Sequence, residues 1–130
     1  MERCAADGLL FVAADENDAP LGFLAAEARN GALYIGEIDV WRRWQGRGIG
    51  RALILAAIAE TRRRGLRTAT LTTDRFAPFN RPFYESLGFR EVSGALLPPD
   101  LAAVLQSEIE RGLDPARRVG MLLRLERSSR

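Results

Sequence analysis

The sequence predicts a mixed α/β fold of the α+β kind, in which strands and helices alternate around a mixed sheet. Three observations carry that expectation. Short apolar segments separated by turn residues fill the first third of the chain. A glycine-rich turn then opens a helical stretch. A Thr-rich segment follows the helix, giving the order of a β-α-β crossover with a parallel strand pair. The length of 130 residues predicts one domain spanning 1–130.

Taken in order, Leu9 to Ala14 is short and apolar and reads as a strand. Asp15 to Pro20 is a run of turn residues, and Leu21 to Ala28 resumes the apolar pattern, so the two segments form a hairpin. Asn30-Gly31 is a strong two-residue hairpin signal and leads into a third strand, Ala32 to Trp41. Ile49 to Arg64 suits a helix, with Ile49, Ala52, Leu53, Ala56 and Ala57 at spacings of three and four, and Ile54, Leu55 and Ile58 widening the stripe so that the helix is expected to be buried on more than one side. The next turn of that stripe falls on Glu60, where the apolar face fades. Gly65 is the stop, and the arginines before it suit a helix C-terminus. Arg67 to Thr73 reads as a strand. Asn80 to Leu87 is a short helix ended by Gly88, and Phe89 to Val92 is a strand. Pro98, Pro99 and Asp100 make a stop followed by a cap for a helix over Leu101 to Arg111. Val119 to Leu125 is the last strand. The order is β-β-β-α-β-α-β-α-β.

Composition narrows the chemistry. There is no His, which excludes Ser-His-Asp and Cys-His catalysis and every His-containing metal site; no metal is expected. Cys4 is the single cysteine, so no internal disulfide forms. It lies near a terminus with no His to activate it, a poor nucleophile. The 19 basic and 17 acidic residues leave a net charge of +2, short of the clustered basic face that nucleic-acid binding needs. Met1 to Gly8 lacks a signal-peptide pattern, and no apolar run approaches the roughly 18 residues of a membrane span. A cytoplasmic protein is expected.

The segment Val40-Trp41-Arg42-Arg43-Trp44-Gln45-Gly46-Arg47-Gly48-Ile49-Gly50-Arg51 holds the chemistry. A strand ends, glycines turn the chain, and a helix begins. Glycines permit a tight turn and close approach to the backbone amides. A helix N-terminus offers N–H groups without internal partners and a dipole that favours negative charge. The combination is an anion site suited to a pyrophosphate, with Arg42, Arg43, Arg47 and Arg51 adding charge. It lacks the Gly-Lys-Ser/Thr ending of phosphate-loop NTPases and the Gly-x-Gly-x-x-Gly spacing of dinucleotide folds. The plainer alternative is a strand-to-helix turn with a solvated Arg patch.

Gln45-Gly46-Arg47-Gly48-Ile49-Gly50 resembles the Gln/Arg-x-x-Gly-x-Gly/Ala signature of the GNAT superfamily of N-acetyltransferases. The resemblance implies the acyl-CoA N-acyltransferase fold and acetyl-CoA as cosubstrate. By carry-over, Gln45, Gly46, Arg47, Gly48, Ile49, Gly50 and Arg51 bind the coenzyme pyrophosphate. Val40 then offers backbone groups to the pantetheine arm and the acetyl carbonyl, and the coenzyme lies near Thr72 and Thr73. Asn80-Arg81-Pro82-Phe83-Tyr84-Glu85-Ser86-Leu87-Gly88-Phe89 resembles a second family segment, with Tyr84 at the family's Tyr position four residues before Gly88. A phenol is protonated at pH 7 and able to protonate the departing thiolate. The alternative is a ring that packs and hydrogen-bonds the coenzyme.

Many members of the family carry an Asn seven residues before this Tyr; here that position is Ala77. Asn80 is a weaker coenzyme contact, with helix capping as its alternative. Glu37 and Asp39 share a strand face and are candidate bases if that face lines the cleft, or surface charges if it faces solvent. Asp74 is a further candidate, with a turn cap as the plainer account. Trp41 and Trp44 flank the loop as a wall or as packing residues. The resemblance runs from about Leu9 through Val92 and more weakly to Leu125. The family's opening strand and two helices are missing, so the fold is expected to be N-terminally shortened. Either a homodimer partner covers the exposed face or the start codon is placed too late. The expected function is acetyl transfer from acetyl-CoA to a primary amine of a small molecule or peptide. The alternative is a catalytically inactive acetyl-CoA-binding regulatory domain.

Overall fold

A computed structural model describes residues 2–5, 8–76 and 79–125. Ala77 lies outside them, as does the side chain of Cys4. The chain forms two compact units, Met1–Ala69 with Leu125–Arg130, and Thr70–Arg124.

The first unit is an antiparallel meander backed by one helix. β1 (Glu2–Ala5), β2 (Gly8–Ala14), β3 (Pro20–Arg29) and β4 (Ala32–Val40) hydrogen-bond in that order. β1 is not foreseen from the sequence, whose apolar pattern starts the strands at Leu9, and it corrects the expectation that no strand precedes the hairpin. Glu2-Arg3-Cys4-Ala5 has no apolar alternation of its own, and its strand character comes from the ladder with β2, where Arg3 pairs with Leu10 and Cys4 with Leu9. The Asn30-Gly31 turn forms as expected. Both residues have positive φ, 52° and 81°, which fits the type I′ geometry between Arg29 and Ala32.

β4 contains an irregularity that decides which face carries Glu37 and Asp39. Ala25 pairs with Glu37 while Ala26 pairs with Ile35, so Gly36 is the extra residue of a bulge. Leu33 and Ile35 are buried before the bulge, and Val40 is buried after it. The buried face therefore changes from odd to even positions, and Glu37 and Asp39 come to lie on the exposed face.

α1 (Ile49–Arg63) packs on β2, β3 and β4. Its buried residues are Gly50, Leu53, Ile54, Ala57, Ile58, Glu60 and Thr61. Leu53 and Ala57 of the predicted stripe, and Ile54 and Ile58 beside it, are buried, whereas Ala52, Leu55 and Ala56 are exposed. Glu60 does not end the buried face. It is 6% exposed, and its carboxylate is bonded by Arg63 (Nε, 2.8 Å) and Arg64 (Nε, 2.7 Å). The helix ends in a Schellman motif: Leu66 N–H donates to Thr61 O, Gly65 N–H donates to Arg62 O, and Gly65 has φ 72°.

The second unit holds most of β5 (Thr68–Asp74), α2 (Arg81–Ser86), β6 (Arg90–Val92), α3 (Pro99–Glu110) and β7 (Arg118–Arg124). Its strands are ordered β5-β7-β6, with β6 and β7 antiparallel. α3 begins at Pro99 with Pro98 as N-cap, so Asp100 sits in the first turn rather than at the cap. An acidic side chain there still complements the helix dipole. The mixed α/β class and the element order expected from the sequence hold, with β1 added.

Candidate functional site

The phosphate-type loop lies wholly in the first unit. Beyond Val40 the chain makes a single 3-10 turn over Arg42–Trp44, closed by Trp44 N–H on Trp41 O (2.8 Å) and Gln45 N–H on Arg42 O (3.2 Å). Gly46 and Gly48 then take positive φ, 80° and 82°. A Cβ at either position would meet nothing within 4 Å, so the glycines are required by backbone conformation and open space lies beside them. Gly48 is the N-cap of α1, with no side-chain cap and no acidic residue in the first turn. Neither an N-cap side chain nor an acid of the first turn satisfies the first-turn amides. Arg42, Arg43, Arg47 and Arg51 are exposed around this end. The guanidinium groups of Arg47 and Arg43 lie 4.9 and 5.9 Å from the Trp44 ring centroid. Trp44 thus serves as a cation–π support for two of the four arginines, while Trp41 is 49% exposed.

Val40 has a defined orientation. Gly22 and Val40 are direct partners, and Trp41 N–H donates to Leu21 O at 3.0 Å. In an antiparallel ladder this makes Gly22 and Val40 a non-hydrogen-bonded pair, so the N–H and C=O of Val40 both point away from β3. Its carbonyl accepts a 2.9 Å bond from Gln45 Nε2. β3 approaches closely here, since a Cβ on Gly22 would lie 2.7 Å from Asp39 O. Glu37 and Asp39 share one face, as the strand period requires, and that face is exposed.

Tyr84 lies in the second unit, and local geometry explains its spacing from Gly88-Phe89. α2 also ends in a Schellman motif: Phe89 N–H donates to Tyr84 O (3.1 Å) and Gly88 N–H to Glu85 O (3.0 Å), with Gly88 at φ 102°. The motif brings the residue after the glycine onto the third-last helical residue. Phe89 accordingly meets the Tyr84 ring edge-on at 5.7 Å, and Phe83 meets it at 5.1 Å. Tyr84 is 3% exposed. Burial pushes its phenol above the ordinary value of 10.0, and the charge of Arg118 opposes that shift only in part. The group is therefore a neutral proton donor across the physiological range.

Asn80 is the N-cap of α2. Its Oδ1 accepts from Phe83 N–H at 3.5 Å, and its carbonyl accepts from Tyr84 N–H at 3.1 Å. Asp74 is a turn cap: Oδ1 accepts from Phe76 N–H at 2.8 Å, and Arg117 pairs with the carboxylate at 3.3 Å. The Phe76 amide and then Arg117 lower its pKa below 3.8, which makes it a poor base. Thr73 Oγ1 donates to Phe79 O (2.5 Å) and Thr72 Oγ1 to Glu108 (2.7 Å), so both hydroxyls are engaged internally. Sequence reasoning missed the Glu108–Arg118 pair (3.0 Å), which with Thr72 ties α3 to β5 and β7. Nothing in the local sequence joins three positions so far apart.

Between α1 and β2, a groove of about 450 Å³ is lined by Phe11, Val12, Ala52, Ala56, Glu60 and Arg63 among others. None of the sequence-predicted site residues lines it. Among the described residues there is no cluster of three or more His, Cys, Asp or Glu placed to hold a metal ion, and no helix is long and apolar enough to cross a membrane.

A family model described as an acetyltransferase (GNAT) domain matches residues 6–91, more than half of the chain and inclusive of both motifs. Solved structures share the fold. The ribosomal-protein-S18-alanine N-acetyltransferase of Escherichia coli superposes with a TM-score of 0.72 at 21% identity, covering 97% of this chain and 74% of that one. A PaiA N-acetyltransferase of Thermoplasma acidophilum, in complex with coenzyme A, has a TM-score of 0.67 at 15% identity, covering 92% and 62%. A Bacillus anthracis protein described as a streptothricin acetyltransferase, in complex with acetyl coenzyme A, has a TM-score of 0.72 at 18% identity, covering 94% and 65%. The chain thus spans less than two thirds of the length of the last two.

Proposed function

The chain belongs to the GNAT acetyltransferase family, and from that premise we propose that it transfers an acetyl group from acetyl-CoA to a primary amine by direct attack. The loop is the observation that carries the proposal. Two positive-φ glycines lead into a helix N-terminus with no acid in its first turn, surrounded by four exposed arginines. Gly46, Arg47, Gly48, Ile49, Gly50 and Arg51 take the pyrophosphate of the coenzyme on their amides and cations. The backbone of Val40, turned away from β3, serves the pantetheine arm, and its N–H stabilises the oxyanion that forms as a neutral amine attacks the thioester carbonyl.

Two side chains move the protons. Tyr84 protonates the departing thiolate, and its burial keeps the phenol neutral for that task. Glu37 takes the proton of the attacking amine, directly or through water, from the exposed face that the Gly36 bulge gives it. Asn80 assists the coenzyme only after serving as the cap of α2. The acceptor is a small-molecule or peptide amine, and the proposed setting is cytoplasmic.

The test is release of free coenzyme A thiol from acetyl-CoA in the presence of a panel of primary amines, including a Lys-containing peptide. Turnover with at least one amine, reduced about tenfold or more in Glu37→Gln, agrees with the proposal. Tight acetyl-CoA binding with no turnover across the panel would favour the inactive regulatory domain instead.

A further inference from the structure

The side chain of Gln45 ends where the strand and the loop meet. Residues 41–44 are already closed on themselves by two backbone bonds, Trp44 N–H to Trp41 O and Gln45 N–H to Arg42 O. The third closure is the 2.9 Å bond from Gln45 Nε2 back to Val40 O, across the whole turn. A carbonyl only accepts, so the atom facing it must be the amide nitrogen, and the orientation of the Gln45 amide is fixed by that partner. Val40 itself is 2% exposed, and its carbonyl points away from β3. Without the Gln45 amide, Val40 O loses this part-buried hydrogen bond.

From this geometry we infer that Gln45 is a positioning residue, an N–H donor that latches the peptide of Val40 to the start of the glycine turn and so sets the loop amides for the coenzyme. The latch acts at both of its ends. At Val40 it fixes the plane of the Val40–Trp41 peptide, just past the residue whose N–H faces the reacting carbonyl in the proposed mechanism. At Gln45 it anchors the residue that precedes Gly46 and Gly48. These two glycines hold positive φ with open space beside them and need a fixed starting point to present their amides in one direction. The role assigned here to Gln45 is thus to hold the loop, and the pyrophosphate contacts are left to the residues after it. The inference rests on the acetyl-CoA reading proposed above.

The experiment compares acetyl-CoA affinity of the wild type, Gln45→Met and Gln45→Arg by calorimetry, with thermal melts of each. Met keeps length and removes the donor; Arg restores N–H donors on a longer stem. Loss of one neutral hydrogen bond predicts affinity about 3- to 10-fold weaker in Q45M, recovered to within about twofold in Q45R, with a lowered melting temperature in Q45M that Q45R restores. The ligand-free protein gives a second readout, a change in the Val40 carbonyl carbon chemical shift in Q45M that Q45R reverses. Equal affinity in Q45M and wild type, or a Val40 shift that does not move, overturns the latch while leaving the acetyl-CoA reading intact. Failure of the wild type to bind acetyl-CoA overturns that reading, and the latch with it.

Discussion

At the scale of single residues, the proposed role of Tyr84 separates catalysis from binding. Its ring is held by the Schellman end of α2 and by Phe89, so removal of the hydroxyl leaves the packing in place. Tyr84→Phe should lower kcat by about a hundredfold, and the affinity for acetyl-CoA should stay within about twofold. Steady-state kinetics beside calorimetry checks both; an unchanged kcat would remove Tyr84 from the proton path. The pH dependence has a definite sign. Burial raises the phenol above 10.0, so its protonated form persists to a higher pH than that of a free Tyr. No loss of activity from this group is expected as pH rises toward 10.

At the scale of elements, much of the fold was legible because turn chemistry is local. Asn30-Gly31, Gly65 and Gly88 each mark an end that the structure confirms with positive φ. Features set by tertiary context were not legible. β1 depends on β2 for its pairing, and the Gly36 bulge depends on the register with β3. The sequence draws the buried face of α1 too wide, because Ala52, Leu55 and Ala56 put apolar residues on the exposed side. The candidate site follows the same rule: the loop and the Tyr84 segment are contiguous stretches of sequence, whereas the Thr72–Glu108–Arg118 network joins distant positions.

Two predictions belong to helices. Asn80→Ala should cost about 0.5–1 kcal/mol of stability, at the low end for a cap because the bond to Phe83 N–H is long. Acetyl-CoA affinity unchanged in that variant would limit Asn80 to capping, and a loss would add a coenzyme contact. In α1, hydrogen bonds from Arg63 and Arg64 hold the Glu60 pKa down at about 2, from 4.5. A depressed carboxyl stabilises the fold above its unfolded pKa and loses that contribution as pH falls through the folded one. Glu60→Gln should therefore be less stable than wild type at pH 7, with the gap closing between about pH 4.5 and 2. Chemical denaturation at several pH values measures it; a gap independent of pH would contradict the ion-pair account.

At the scale of the whole molecule, the net charge of +2 conceals an uneven distribution, with four exposed arginines gathered at one helix N-terminus. That concentration, with the two positive-φ glycines, underlies the proposal that residues 46–51 take the pyrophosphate of a coenzyme. The most direct measurement is calorimetric titration of acetyl-CoA into the wild type and into Gly48→Glu. Gly48 holds φ 82°, and a Cβ there would meet nothing within 4 Å. The variant therefore adds backbone strain and a carboxylate at the amides proposed to take the pyrophosphate. The account predicts micromolar binding by the wild type, about −8 kcal/mol, and none by a folded Gly48→Glu. Equal binding by both would place the coenzyme elsewhere and contradict the account.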